Sequence, residues 1–176
     1  GINNAIKISA GYSNCAAMLK NGETVVWGHN NYGELETNSN PSLKITLGTD
    51  ITDITFDGYK TLVLKEDGSL YGTGLNTSGQ LGIGDNTNKN QLTKITIPTS
   101  SKIKYITGSA SASAVSTADG KIYTTGYNGY GQASNGTKDA SNTFTVMKNQ
   151  DGTDITNCLI LGKGGYTRAD WLPKNN

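Results

Sequence analysis

Residue types that carry chemistry or cross-links are scarce in this chain of 176 residues, which has one histidine, two cysteines and three prolines. A single histidine excludes metal sites that need two, and a Ser-His-Asp triad would have to use His29. Two cysteines cannot form a disulfide framework. Cys15 and Cys158 both lie in apolar strand-like segments, so we predict two free thiols.

An excess of charge and long apolar runs are also lacking. The formal net charge is +1, and the 15 lysine and arginine residues are scattered. We therefore expect no binding to nucleic acid. Apolar runs such as residues 158–161 fall far below the length of about 20 residues that spans a bilayer, so no membrane insertion is expected. Gly1 opens the chain without a signal-peptide pattern, and we expect a fragment of a longer protein.

Glycine, by contrast, is abundant, and its spacing reveals a repeat. The 23 glycines and the many Thr, Asn, Ser and Tyr residues are typical of short strands joined by tight turns. Three segments align without a gap: KNGETVVWGHNNYGEL, EDGSLYGTGLNTSGQL and ADGKIYTTGYNGYGQA. They contain hairpin glycines (Gly22, Gly68, Gly120), strand-end glycines (Gly28, Gly74, Gly126) and loop glycines (Gly33, Gly79, Gly131).

The repeat distance predicts an all-β fold of β-propeller blades. Gly68 follows Gly22 by 46 residues, and Gly120 follows Gly68 by 52. Both distances are close to the length of a four-stranded propeller blade, which is roughly 40–50 residues. In the second unit we predict strands over ITDITF, TLVLK, SLYGTG and LTKITI. Blades are expected at about residues 5–50, 51–101 and 102–154, with part of a fourth at about 155–176.

About three and a half repeats cannot close a ring, because closed propellers need roughly four to eight blades. The chain is therefore expected to be part of a longer propeller, an open arc, or a homo-oligomer in which two chains supply one ring.

The three glycine sets have different predicted roles. An Asn or Asp precedes each hairpin glycine, and such pairs supply the positive φ of a primed turn. The strand-end glycines are expected where the backbone bends or packs closely. The loop glycines are expected to turn the chain toward the fourth strand.

The loop motif resembles a known repeat family. The segment YGTGLNTSGQLGIGDNT in the second unit is similar to the pattern vWGxNxxGQLGxG of bacterial repeats of the regulator of chromosome condensation family. The resemblance runs from about Ile6 to Leu161. It implies a propeller, commonly of seven blades around a central channel. The family's founder is a nucleotide exchange factor that acts through a wedge with no counterpart here, so that activity is not carried over.

Candidate catalytic and ligand motifs are explained by the repeat. The run GTGLNTSG precedes no helix and its glycines recur in every unit, unlike a phosphate-binding loop. GDNTNKN lacks the turn glycine and terminal Glu of a calcium-binding EF-hand loop. We therefore predict no catalytic residue, no metal and no cofactor.

Four loop residues are the candidate binding residues. His29 and Tyr127 share one motif position, and Tyr32 and Tyr130 share another. Tyrosines on rigid loops suit contact surfaces, although packing between blades would explain them equally well.

From these features we predict a non-catalytic, protein-binding propeller segment of a bacterial cell-surface or secreted protein, with an extracellular or cell-surface location. The alternative is a structural or receptor-binding component of a phage tail, virion or surface filament. The sequence does not identify the protein partner.

Overall fold

The computed structural model describes residues 2–37, 45–57, 59–161 and 170–173, with the backbone alone at 158–161 and 170–173. The described residues form strands and turns and no helix. In chain order the strands are β1 (Ala5–Ala10), β2 (Asn14–Leu19), β3 (Thr24–Gly28), β4 (Ile45–Gly48), β5 (Ile51–Phe56), β6 (Lys60–Lys65), β7 (Leu70–Gly74), β8 (Lys89–Ile95), β9 (Ile103–Ser109), β10 (Ala112–Thr117), β11 (Ile122–Gly126), β12 (Ser141–Val146), β13 (Cys158–Leu161) and β14 (Asp170–Pro173).

The strands form three four-stranded meanders and one pair. The sheet orders are β1-β2-β3-β4, β5-β6-β7-β8 and β9-β10-β11-β12, and β13 pairs with β14. The prediction of an all-β fold built from four-stranded repeats is therefore confirmed. Within the predicted fourth unit, residues 162–169 and 174–176 lie outside the described residues.

The last strand of the second sheet begins earlier than the sequence predicts. It covers Lys89–Ile95, whereas we expected LTKITI, residues 92–97. The added residues are polar and largely exposed, as an outer strand allows, and they break the apolar alternation on which the prediction depended. The carbonyl oxygen of Lys89 accepts a hydrogen bond from the Thr73 hydroxyl at 2.8 Å.

The chain divides into two compact units, each with its own core. The first contains Gly1–Leu75 and Asn88–Lys94, and the second contains Asn76–Thr87 and Ile95–Asn176. In the first unit β1 lies against β5. Its core cluster consists of Ala16, Val26, Leu35, Ile51, Ile54, Phe56 and Val63. A cluster in the second unit consists of Ala114, Ile122, Met147 and Ile155.

The hairpin turns differ from the primed turns that we expected. Gly22 has a φ of +88°, but Asn21 is not among the residues with positive φ. The Gly22 N–H donates to the carbonyl of Leu19 at 2.9 Å, and the Leu19 N–H donates to the carbonyl of Glu23 at 2.7 Å. This is a three-residue loop in which a type I turn is followed by a left-handed glycine. The same bonds recur around Gly68 and Gly120, so only the glycine of each pair supplies positive φ.

Candidate functional site

A buried asparagine closes the loop that follows the third strand of each sheet. The Oδ1 atom of Asn76 accepts a hydrogen bond from the Leu81 N–H at 2.8 Å, and its Nδ2 donates to the Asp85 carbonyl at 2.8 Å. Asn30 and Asn128 occupy the same position and each accept from the N–H five residues later, also at 2.8 Å. Sequence reasoning missed this set, although an asparagine two residues after each strand-end glycine was visible.

A second side chain, directly after the loop glycine, holds the turn from the other side. It accepts a bond from the backbone N–H two residues earlier. The pairs are Tyr32 with Glu34 at 2.9 Å, Ser78 with Gln80 at 2.9 Å and Tyr130 with Gln132 at 3.0 Å. Each loop therefore has fixed geometry, and the residues at the positions of His29 and Tyr32 project from an ordered support.

The strand-end glycines lie against the start of the neighbouring second strand. A Cβ atom at Gly74 would lie 2.5 Å from the carbonyl oxygen of Tyr59 and 2.8 Å from the Cα of Lys60. At Gly28 and Gly126 a Cβ would meet the carbonyl oxygens of Ser13 and Ser111. A side chain at any of these positions would displace the backbone.

The loop glycines pack on outer strands at two of their three positions. A Cβ at Gly33 would lie 2.5 Å from the Cα of Asn90, and one at Gly79 would lie 2.6 Å from the Cα of Asn142. At Gly131 no described heavy atom lies within 4 Å. The three glycines share a positive φ of 75° to 87°, so the local conformation repeats while the packing does not.

His29, Tyr12, Tyr32 and Tyr59 form an aromatic cluster in the first unit. The Tyr59 ring centroid lies 5.2 Å from that of Tyr32, 5.3 Å from that of His29 and 6.5 Å from that of Tyr12. Tyr12 is 72% exposed and Tyr32 is 37% exposed. The structure thus places two predicted residues, His29 and Tyr32, together with two that sequence reasoning missed, because Tyr12 and Tyr59 lie in turns outside the loop motif.

A buried carboxylate holds the imidazole of this cluster. The Nδ1 atom of His29 lies 2.7 Å from Oε1 of Glu34, whose side chain is 1% exposed. The His29 side chain is 24% exposed. Since an ionised carboxylate only accepts hydrogen bonds, Nδ1 carries the proton that it donates to Glu34.

The other two predicted binding residues form a pair in the second unit. The ring centroids of Tyr127 and Tyr130 lie 5.9 Å apart in an edge-on arrangement, and Tyr130 is 82% exposed. The Tyr127 ring lies over Gly129, where a Cβ atom would collide with it. A glycine at this position allows the ring to lie close to the loop.

One charged pair is buried in the second sheet. Lys60 and Asp57 are 1% and 6% exposed. The Lys60 Nζ donates to the Asp57 carbonyl at 3.4 Å, and the Asp57 carboxylate accepts from the Thr55 hydroxyl at 3.1 Å. Burial lowers the pKa of Lys60 from its ordinary 10.5 to about 8, although the charge of Asp57 acts in the opposite direction.

The remaining sequence predictions concern the cysteines, metal binding and membrane insertion, and the structure has few observations that bear on them. Cys15 is a half-buried free thiol, and the side chain of Cys158 lies outside the described part of the chain. No three His, Cys, Asp or Glu side chains within the described ranges are grouped closely enough to hold a metal ion. The same residues contain no helix that is long and apolar enough to cross a membrane.

Comparison with known families and proteins agrees with this repeat geometry. Two models described as the regulator of chromosome condensation (RCC1) repeat match residues 67–116 and 5–34. The E3 ubiquitin-protein ligase HERC4 of Homo sapiens is 31% identical over 134 residues, which is 72% of this chain and 13% of HERC4. The X-linked retinitis pigmentosa GTPase regulator of Homo sapiens is 33% identical over 144 residues, covering 78% of this chain and 14% of that protein. The chain therefore spans about a seventh of the length of these relatives.

A solved structure shows the same fold. Prp20p of Saccharomyces cerevisiae superposes with a TM-score of 0.74 at 18% sequence identity, covering 83% of this chain and 39% of Prp20p. The family matches, the relatives and the repeated loops thus agree with the resemblance carried by the glycine motif. The chain belongs to the RCC1-type repeat family and is built from its β-propeller repeats.

Proposed function

We propose that this chain is a non-catalytic, protein-binding segment of a propeller. Its contact residues are the exposed and half-buried aromatic side chains on the loops and turns beside the third strands. In the first unit these are His29, Tyr12, Tyr32 and Tyr59. In the second unit they are Tyr127 and Tyr130.

The observation that carries the proposal is that exposed aromatic side chains lie on loops whose backbone is held by hydrogen bonds. Tyr130 is 82% exposed, while Asn128, two residues before it, is buried and holds the loop closed through its bond to the Ala133 N–H. A tyrosine on an ordered backbone offers a large contact area and a hydroxyl while losing little conformational entropy on binding. Tyrosine is also enriched among the residues that contribute most to protein–protein affinity.

The structural relatives support a binding role. The work that solved Prp20p addressed its binding to Gsp1p and histones, and a second structure shows Kap60 bound to yeast RCC1 (Prp20). These are protein partners of another chain, and we propose protein binding here as a class and not those partners.

Partner capture by single-site variants tests the proposal. The chain is immobilised as wild type, Tyr130→Ala, Tyr32→Ala and Tyr105→Ala and exposed to cell-surface and secreted proteins of the source organism. Tyr105 is 44% exposed on β9, outside the loops, and serves as the matched control. We expect a protein captured by wild type and Tyr105→Ala to be lost from at least one loop variant. Equal capture by all four chains, or no capture together with turnover in a catalytic screen, would contradict the proposal.

We also propose that the parent protein is a bacterial surface or secreted protein, because its loop motif resembles the pattern of bacterial repeats. Detection of the protein only in the cytosolic fraction of the source cells would contradict this location. The alternative, a structural component of a phage tail or filament, predicts assembly of chains in solution. Light scattering coupled to size exclusion tests it, and a monomer at all concentrations would argue against it.

A further inference from the structure

The first repeat differs from the other two at a coupled pair of loop positions. The second repeat has Leu75 and Gln80 where the first has His29 and Glu34. Besides holding the Ser78 N–H, Gln80 donates its Nε2 to the Ala110 carbonyl at 3.3 Å. A carboxylate has no N–H and cannot donate such a bond. In the first repeat, the second oxygen of Glu34 instead accepts from His29, so the loop keeps its geometry and gains an oriented imidazole.

The orientation of the His29 ring determines whether its Nε2 atom accepts or donates a hydrogen bond. Because Nδ1 donates to Glu34, the neutral ring has its lone pair on Nε2, which is a hydrogen-bond acceptor. Nε2 makes no hydrogen bond to any residue in the described part of the chain. Protonation of the ring would turn Nε2 into a donor and add a positive charge.

The surroundings of the imidazole favour a cation. The rings of Tyr12, Tyr32 and Tyr59 have negative faces that attract ammonium and guanidinium groups. The Glu34 carboxylate, at 1% exposure, contacts the His29 ring and the Tyr32 N–H. A buried charge is screened less by salt than an exposed one.

The other charged groups near the cluster do not offset Glu34. Asp57 and Lys60 lie on either side of Tyr59 in the sequence, where the Lys60 Nζ donates to the Asp57 carbonyl and the charge of Asp57 raises the pKa of Lys60 against the effect of burial. The remaining titratable groups that meet His29 are the phenols of Tyr32 and Tyr59. With a neutral imidazole, Glu34 has no cationic partner among the residues that the structure describes.

We propose that His29, Glu34, Tyr12, Tyr32 and Tyr59 form a site for a basic side chain, arginine or lysine, presented by a protein partner. The cation lies against the tyrosine faces and donates an N–H to Nε2 of His29. Glu34 is a positioning residue, since it sets the tautomer and supplies the attracting charge. The inference rests on the proposed function, whose contact loops include this site, and it adds the chemistry of the partner.

The single histidine makes the site directly observable by nuclear magnetic resonance. Long-range ¹H–¹⁵N spectra of the free protein at pH 8 should show the proton on Nδ1. Addition of a short Gly/Ser peptide containing one arginine should shift the His29 signals saturably. The matched peptide with citrulline, which has the same shape without the charge, should bind about tenfold more weakly.

The variant Glu34→Gln separates positioning from folding. It installs the residue found at Gln80 and Gln132 and retains an acceptor for the Tyr32 N–H, so the loop should fold normally. Its amide N–H can donate to Nδ1, which moves the imidazole proton to Nε2. We expect that tautomer change together with about tenfold weaker binding of the arginine peptide. Tyr105→Ala, which changes a residue of β9 in the second unit and not of the cluster, should bind as wild type.

Two results would overturn the inference: an Nε2–H tautomer in the free protein at pH 8, or equal binding of the arginine and citrulline peptides. Its failure is distinguishable from that of the proposed function. If the arginine peptide fails to bind while partner capture still depends on Tyr130, the inference is wrong and the binding role stands. If capture is also unaffected by the loop variants, both are wrong.

Discussion

Thr73 donates its side-chain hydroxyl to the backbone carbonyl of Gly33, which lies 40 residues earlier in the chain, at an O···O distance of 2.7 Å. The same hydroxyl lies 2.8 Å from the carbonyl oxygen of Lys89 on β8. Thr125 repeats the arrangement between Gly79 and Ser141, with both distances 2.9 Å. A buried threonine before the strand-end glycine thus joins the preceding loop to its own outer strand.

Replacing this threonine by valine should destabilise the fold. Thr73→Val keeps the shape but removes the buried hydroxyl that donates to the Gly33 carbonyl, and we expect a loss of about 0.5–1.5 kcal/mol in the free energy of unfolding. Urea unfolding measures it. Thr46→Val, at an exposed position on β4, is the control and should change stability by less than about 0.5 kcal/mol. Equal stability of the two variants would mean that the hydroxyl contributes little.

Alanine substitutions at Gly79 and Gly131 distinguish the energetic cost of steric overlap from that of backbone strain. Both have a φ of +75°, so Gly→Ala at either position should cost about 1–2 kcal/mol through conformation alone. At Gly79 the new methyl group would also lie 2.6 Å from the Cα of Asn142, whereas at Gly131 no described atom lies within 4 Å. We expect Gly79→Ala to lower the free energy of unfolding by about 1–3 kcal/mol more than Gly131→Ala does, as measured by thermal or urea unfolding. A larger loss at Gly131 would show that the position is packed.

Replacing Glu36 by glycine should relieve strain in the backbone at this position. It has a φ of +59° at the position where the second repeat has Gly82, with a φ of +68°. The left-handed conformation costs a side-chain-bearing residue about 1–2 kcal/mol. Glu36→Gly should therefore be more stable than Glu36→Ala by about 1 kcal/mol, because both lose the long 3.4 Å contact with the Leu92 N–H and only glycine relieves the strain. Equal melting temperatures of Glu36→Gly and Glu36→Ala would contradict the claim that the backbone is strained at this position.

Lys60 should make stability depend on pH in the alkaline range. Its folded pKa is about 8, below the unfolded value of 10.5, so the unfolded chain binds more protons between these values and the free energy of unfolding rises with pH. The rise attributable to Lys60 is about 3 kcal/mol from pH 8 to pH 10.5 and is absent below pH 8.

The comparison with Lys60→Met isolates this contribution. The stability of wild type relative to the variant should increase over pH 8 to 10.5 in urea unfolding and stay constant from pH 6 to 7.5. Lys104→Met, at an exposed position on β9, should show no such trend relative to wild type. A constant difference between wild type and Lys60→Met across the whole range would mean that Lys60 stays charged in the folded protein at pH 10.

Much of the fold could be predicted because its determinants are local. The hairpin and loop glycines mark residues with positive φ, and they recur at the same offsets in three repeats. Strand β5 was predicted to the residue because ITDITF alternates and is bounded by turns. The turn type was wrong, since an Asn-Gly or Asp-Gly pair also suits a three-residue loop in which only the glycine is left-handed.

The candidate site could be predicted only in part. His29 and Tyr32 were visible as departures within an aligned motif, but Tyr12 lies 17 residues before His29 and Tyr59 lies 30 residues after it, in turns with no shared motif. The buried pairing of Glu34 with His29 was also invisible, because glutamate at a loop position is ordinarily solvated.

By itself, the sequence determined the all-β class, the repeat and the places of its left-handed glycines, since these follow from backbone sterics and short-range alternation of apolar residues. Only the tertiary structure decided which side chains meet: Thr73 with Gly33, Tyr59 with His29, and Lys60 buried beside Asp57. The physical reason is that Thr73 and Tyr59 lie 40 and 30 residues from these partners, and the packing that brings such distant segments together leaves no periodic trace in either one. The burial of Lys60 likewise depends on the surrounding chain and not on its neighbours in sequence.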